Sequence, residues 1–95
     1  MYNLHHLQKK LDKIGIKYSI DNLRKLEAKG IIPTHRNLKN NYREMNEEEL
    51  WYAFRNVVLW KCGVPLAVIL SGNISLIKEY CRILRKALSM IMKEE

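Results

Sequence analysis

The sequence predicts a mostly α-helical fold with a winged helix-turn-helix, a small β-hairpin wing and a C-terminal dimerisation helix. Three observations support this prediction. Apolar residues recur at helical spacing in five stretches, glycines end four of these stretches, and Pro33 interrupts the pattern before an asparagine-rich segment. We expect residues 1–72 to form the winged helix-turn-helix domain and residues 73–95 the dimerisation helix.

The first two helices and the short turn between them predict the helix-turn-helix. Gly15 stops the first helix, Ser19 is a good N-cap for the second, and Gly30 ends the second. The inward-facing residues of the two helices are Leu4, Leu7, Leu11, Ile14, Ile20, Leu23 and Leu26.

The segment after the second helix is predicted to be a β-hairpin wing. Pro33 prevents the helix from continuing, and Asn40 with Asn41 suits a tight turn. We expect short strands at residues 34–36 and 42–45. The wing would carry the basic residues Arg36, Lys39 and Arg43.

Two further helices are predicted next. Asn46 and Glu49 have the spacing of a capping box at the start of the third helix, and residues 65–70 form a short fourth one. Trp51 and Trp60 are expected to brace the core. The buried stripe of the third helix is predicted to be Leu50, Phe54, Val57 and Val58.

The last helix, capped by Asn73, carries two apolar stripes. The first has heptad-like spacing and consists of Ile74, Ile77, Cys81, Leu84, Leu88 and Ile91. The second consists of Leu76, Tyr80, Ile83, Ala87 and Met90. One apolar stripe would be enough to pack this helix against so small a domain. Because the helix has two, we predict that it forms a homodimer surface. The alternative is that both stripes pack against the chain's own domain.

The positive charge lies in one half of the chain. Residues 1–43 contain ten basic and three acidic residues, which gives the whole formal net charge of +7. Residues 44–95 contain seven of each sign. Because a charge needed only for solubility would be spread out, this distribution favours a polyanionic partner over a merely solvated basic face.

The sequence has no recognisable catalytic motif, phosphate-binding loop or metal-ligand spacing, so we expect no enzyme activity, no cofactor and no metal. Cys62 and Cys81 lie in apolar helical patterns and are expected to be buried free thiols, although a disulfide between them remains an alternative. The longest apolar run, residues 64–70, is too short to span a bilayer. We expect a soluble, cytoplasmic protein associated with the nucleoid and not with a membrane.

The outward face of the second helix and the wing supply the candidate contacts to bases and phosphates. On helical spacing, Asp21, Asn22, Lys25 and Lys29 point away from the core, with Arg24 at the flank. The predicted DNA-binding residues are Ser19, Asp21, Asn22, Arg24, Lys25, Lys29, Arg36, Lys39, Tyr42 and Arg43.

Residues 18–50 resemble the DNA-binding domain of the mercury-resistance-regulator (MerR) family, which reads roughly "VSxxTLRYYExxGLLxPxRxxxGYRxYxxxDL". The matching positions are Ser19, Leu23, Arg24, Glu27, Gly30, Ile31, Ile32, Pro33, Arg36, Tyr42, Arg43, Glu49 and Leu50. A weaker match continues through "KCGVPLAVI", which is similar to the family's "ELGFSLEEI". Lys25 and Leu26 replace the family's Tyr-Tyr pair, and Asn41 replaces its wing glycine.

The resemblance implies a transcriptional regulator that binds double-stranded DNA as a homodimer. The second helix would enter the major groove, while Arg36 and Arg43 would hold phosphates. Members that sense metals or drugs carry the ligands at or beyond their long helix. This chain ends at Glu95, so no small-molecule effector is expected. Two alternatives are a DNA-bending accessory factor of a phage or mobile element, for excision or packaging, and a helical protein-interaction module.

Overall fold

A computed structural model describes residues 1–40 and 42–93 of the chain. The predicted turn residue Asn41 therefore lies outside the described residues, as do the last two residues of the predicted final helix. The prediction of a mostly α-helical fold with one small β-hairpin is confirmed. The elements are α1 (Leu4–Asp12), α2 (Ile20–Ala28), β1 (His35–Arg36), β2 (Arg43–Glu44), α3 (Glu47–Lys61), α4 (Leu66–Ser71) and α5 (Ile74–Lys93).

Three of the helices, α2, α3 and α5, begin at the N-cap residues that the sequence predicts. The Ser19 hydroxyl accepts the backbone N–H of Asn22 at 3.1 Å. Asn46 and Glu49 form both bonds of the capping box, and the Asn73 side chain accepts the backbone N–H of Leu76 at 3.1 Å. Each cap satisfies a backbone donor that the helix itself leaves unpaired.

Two clusters of buried side chains hold the fold together. The first joins α1, α2 and α3 and includes Leu7, Leu11, Leu23, Ile31, Met45 and Val57. The second joins the end of α3, α4 and the start of α5, and consists of Leu59, Val64, Val68, Ile69 and Ile77. Burial of each large apolar side chain contributes about 1.5–3 kcal/mol. The buried Asn56 adds a polar link, since its Nδ2 donates to the Ile31 carbonyl at 3.0 Å.

The hairpin is shorter than predicted, because only two residues in each strand pair. His35 lies opposite Glu44, and Arg36 lies opposite Arg43. Met45 leaves this ladder and pairs with Tyr2 instead, through backbone hydrogen bonds of 2.8 and 2.7 Å. The N-terminus is therefore attached to the base of the hairpin.

Three burial predictions are wrong. Ile14 is 54% exposed because α1 ends at Asp12 and the chain turns away before it could pack. Trp51 is also 54% exposed, on a side of α3 that faces away from the core. Cys62 is exposed because it is the C-cap of α3. Both cysteines are free thiols.

Only the first half of α5 packs against the domain. Ile77 is buried, and Tyr80, Cys81 and Leu84 are half-buried against the second cluster. Leu88 and Ile91 are on the same side of the helix, but they are 60% and 56% exposed. The alternative in which α5 buries both stripes against its own domain is therefore not what the structure shows. No helix among the described residues is long and apolar enough to cross a membrane.

Candidate nucleic-acid interface

A groove of about 670 Å³ is lined by residues of α2, the hairpin and the N-terminus. Three of the predicted DNA-binding arginines line it, namely Arg24 from α2, Arg36 from β1 and Arg43 from β2. Its full lining is Met1, Tyr2, Asn3, Leu4, His5, Ile20, Arg24, Arg36, Asn37, Asn40, Tyr42, Arg43 and Glu44. Cations from elements far apart in sequence therefore meet around one concave surface, which we call the cationic groove.

Two of these arginines are direct partners in the hairpin. Arg36 lies opposite Arg43 in the antiparallel pair, so both side chains are on the same face. Like charges in this position destabilise a hairpin by themselves. Glu27 already supplies an anion to Arg43. A phosphate is a further anion that guanidinium groups bind with two hydrogen bonds.

Glu27 fixes one of the two arginines and thereby the hairpin. The Glu27 carboxylate accepts a hydrogen bond from the Thr34 hydroxyl at 2.9 Å and pairs with the Arg43 guanidinium at 2.9 Å. The Glu27 side chain is 10% exposed, whereas that of Arg43 is 47% exposed. The contact with Glu27 therefore positions the Arg43 side chain, about half of which is still exposed to solvent.

Arg24 is held more weakly. Its guanidinium lies 3.4 Å from the Asp21 carboxylate, and the two side chains are 58% and 85% exposed. An exposed pair of this kind contributes at most about 1 kcal/mol. Breaking the contact between Arg24 and Asp21 would therefore cost little.

The other predicted residues of α2 divide into two groups. Asn22 and Lys25 are exposed, and neither side chain has a partner in the described part of the chain. Lys29 is the C-cap of α2, and its ammonium lies 4.9 Å from the centre of the Trp60 ring and not among the groove residues. Lys29 is therefore not among the residues that the structure brings to the groove.

Asparagine side chains order the tip of the hairpin. The Asn37 side chain accepts the backbone N–H of Lys39 at 2.8 Å, and the Asn40 side chain accepts that of Tyr42 at 3.0 Å. These local bonds substitute for strand pairing in a tight turn. Lys39 and Tyr42 are exposed beside them, Tyr42 by 73%.

Sequence reasoning missed the N-terminal wall of the groove. Asn3 caps α1 by accepting the backbone N–H groups of His5 and His6, and His6 completes a capping box. Asn3 and His5 then reach the groove because Tyr2 pairs with Met45. The cap could have been found from the asparagine before an apolar-periodic run, whereas no sequence pattern pairs Tyr2 with Met45.

The groove is lined by the side chains of three arginines. No group of three or more histidine, cysteine or acidic side chains that could hold a metal occurs in the part of the chain that the structure describes. Away from the groove, on α5, a hydrogen bond from Arg82 lowers the pKa of Glu79.

No protein-family model, curated protein or solved structure matches the chain. What the chain binds must therefore be inferred from the chemistry of the groove.

Proposed function

We propose that the chain binds double-stranded DNA as a homodimer and acts as a MerR-like transcriptional regulator. In this proposal α1 and α2 form a helix-turn-helix, α2 enters the major groove, and the hairpin is a wing on the flanking phosphates. The observation that carries the proposal is the meeting of Arg24, Arg36 and Arg43 around one groove between α2 and the hairpin.

The roles of individual residues follow from their positions. Asn22 and Lys25 are the exposed α2 side chains without partners, so they are the candidates for contacts with base edges. Arg24, Arg36 and Arg43 line the groove beside the helix, where phosphate contacts would set the orientation of the protein. The preference for particular bases should therefore depend on Asn22 and Lys25, whereas the overall affinity for DNA should depend on the three arginines.

The charge distribution supports the same partner. All of the net charge lies in residues 1–43, which contain α1, α2, β1 and Arg43 of β2. Because each neutralised phosphate releases counterions, such a surface binds DNA with an affinity that falls steeply as salt rises.

The exposed half of α5 supports the homodimer. Leu88 and Ile91 belong to the same stripe as the buried Ile77, yet they extend past the domain that Ile77 packs against. A second copy that covers them would place two α2 helices on one duplex, as a two-half-site operator requires.

The test is the salt dependence of duplex binding by the wild type and by groove variants. With about four phosphate contacts per protomer, the dimer should show a slope on the order of −5 to −8 in log K against log salt. Arg24→Ala and Arg36→Ala should each reduce its magnitude by about one per protomer. Lys78→Ala, which removes an exposed cation from α5, is the matched control and should leave the slope unchanged. A flat response of the wild type, or no binding at low salt, would refute the proposal.

Selection of binding sites from random duplexes tests sequence specificity. Changing Asn22 or Lys25 should relax the preference at one position per half-site, at a cost of roughly 1–3 kcal/mol. Genomic footprinting then separates a regulator, whose sites lie at promoters, from a DNA-bending accessory factor, whose sites lie at recombination or packaging sequences.

A further inference from the structure

An aromatic cluster is exposed on α3, and none of its residues lines the cationic groove. Trp51 and Tyr52 are 54% and 38% exposed, and their rings meet edge to face with centroids 5.3 Å apart. The Arg55 guanidinium lies 5.6 Å from the centre of the Trp51 ring and 4.9 Å from that of Tyr52. Tryptophan, tyrosine and arginine are the residue types that contribute most to binding at protein interfaces.

The cluster is held in place from the core. Arg55 donates from Nε and from a terminal nitrogen to the Asn56 side-chain oxygen, at 3.2 and 3.1 Å. Asn56 is buried and donates in turn to the Ile31 carbonyl. Because Arg55 is anchored in this way, the two rings have a fixed support, and a partner would not have to order them on binding.

An acidic edge borders the rings. A shallow groove of about 560 Å³ is lined by Asn46, Glu47, Glu48, Trp51 and Tyr52. The carboxylates of Glu47 and Glu48 are exposed at the start of α3. This groove has no lining residue in common with the cationic groove. Its negative charge is opposite to what a nucleic acid requires.

We propose that this aromatic–acidic face, formed by Glu47, Glu48, Trp51 and Tyr52, docks a partner protein through a segment that carries a lysine or arginine beside an apolar side chain. Arg55 already occupies part of the ring surface, so the partner's apolar side chain packs on the remaining exposed part. Its cation pairs with the two carboxylates, which supply the charge complementarity. Because the two grooves have no lining residue in common, docking here would leave the residues of the cationic groove uncovered.

The probe is a phage-displayed library of random twelve-residue peptides, selected on the full chain. Wild-type protein should enrich peptides with lysine or arginine next to an apolar residue, at least tenfold over the variant Trp51→Ala/Tyr52→Ala. The double charge reversal Glu47→Lys/Glu48→Lys should shift the selected peptides to aspartate and glutamate. Leu38→Ala, which removes a fully exposed apolar side chain from the hairpin, is the control and should select the same peptides as wild type.

Folding and DNA binding are checked separately, because all four residues of the face are exposed. Circular dichroism should match wild type in every variant of the face, and the salt slope on duplex DNA should match it in Trp51→Ala/Tyr52→Ala, which leaves the charge unchanged. Failure of DNA binding and failure of this inference therefore give different results. Equal enrichment on wild type and on Trp51→Ala/Tyr52→Ala would overturn the inference. So would selection of the same basic peptides by wild type and by Glu47→Lys/Glu48→Lys. A change in sedimentation of the aromatic variant would assign the face to a second copy of the chain and overturn it as well.

Discussion

At the scale of single residues, Glu27 is an acidic side chain on which a basic surface depends. Its carboxylate is nearly buried and holds both Thr34, at the entrance to the hairpin, and Arg43, in its second strand. The sequence placed Glu27 only as a match to a family position. The structure gives it a physical role, since it ties the hairpin to α2 and sets the direction of one groove arginine.

We predict that Arg43→Ala weakens binding to all duplex sequences about equally and lowers the magnitude of the salt slope by about one per protomer. Its unfolding free energy should also fall by roughly 1 kcal/mol, because Glu27 loses a partner while remaining largely buried. Urea denaturation and salt titrations measure the two effects. Arg43→Lys is the matched control and should keep the slope. A change in the preferred sequence would mean that Arg43 reads bases.

Asn56 is the second residue whose importance the sequence does not reveal. It lies within the apolar pattern of α3, yet it is 8% exposed and bonds the Ile31 carbonyl. We predict that Asn56→Leu lowers the unfolding free energy by about 1–3 kcal/mol, because the buried carbonyl loses its donor. Asn22→Leu, on the exposed face of α2, is the control and should change stability by less than about 0.5 kcal/mol. Equal stability of the two variants would show that water replaces the lost bond.

At the scale of the elements, the start of α3 joins two parts of the fold. Glu49 accepts the backbone N–H of Asn46 at 2.9 Å to complete the capping box, and the same oxygen lies 2.9 Å from Nδ1 of His35 in β1. The cap therefore connects α3 to the hairpin. A change at Asn46 should affect both elements.

We predict that Asn46→Ala lowers the unfolding free energy by about 1–2 kcal/mol, since the cap accepts a backbone N–H that α3 cannot satisfy. It should also speed hydrogen exchange in the hairpin. Asn46→Asp is the control, because aspartate caps as well as asparagine, and it should remain close to wild type. If Asn46→Ala and Asn46→Asp lower the unfolding free energy equally, the Asn46 amide group stabilises the fold by something other than the cap.

The elements also show what the sequence could predict and what it could not. Ser19, Asn46 and Asn73 were assigned correctly because a cap involves neighbours within three residues. The strand lengths were overestimated because Met45 pairs with Tyr2, a contact between distant parts of the chain. Trp51 was assigned to the core because helical spacing does not tell which side of α3 the other helices cover.

The candidate site was partly predictable for the same reason. The basic residues could be listed from the sequence, but their meeting around one groove depends on the Glu27 contacts and on the register that sets Arg36 opposite Arg43. Lys29 fits the outward pattern of α2 and still lies over Trp60, because the end of α2 packs near α3. A position on the outward face of α2 is therefore not enough to place a side chain in the groove.

At the scale of the whole molecule, the shape is elongated, with extents of 55 × 26 × 20 Å, and α5 leaves much of its apolar surface uncovered. The large apolar side chains that are exposed from residue 83 to the end of α5 are Ile83, Leu88, Met90, Ile91 and Met92. Burial of such side chains is worth up to about 1.5–3 kcal/mol each. An isolated helical end of this kind is also marginal in water and gains its stability from packing. Both facts favour a partner that covers this surface, and the proposed homodimer would supply one.

We predict that Leu88→Asp/Ile91→Asp gives a folded monomer. These side chains are exposed in the single chain, so the change leaves its core intact, but it would put two charges into the dimer surface. Ile77→Asp is the contrasting variant. It should unfold the second cluster of the core, since Ile77 is 7% exposed and packs with Leu59 and Val64.

Light scattering on the wild type and on Leu88→Asp/Ile91→Asp decides the state of association, and circular dichroism decides folding. The monomeric variant should lose most of its affinity for a duplex with two half-sites and keep the weak affinity of one protomer for one half-site, because a dimer binds the second half-site without a second association cost. Wild type that stays monomeric at high concentration would rule out the dimer. In that case the exposed end of α5 would have to be covered by another protein, and DNA binding by single protomers should show half of the expected salt slope.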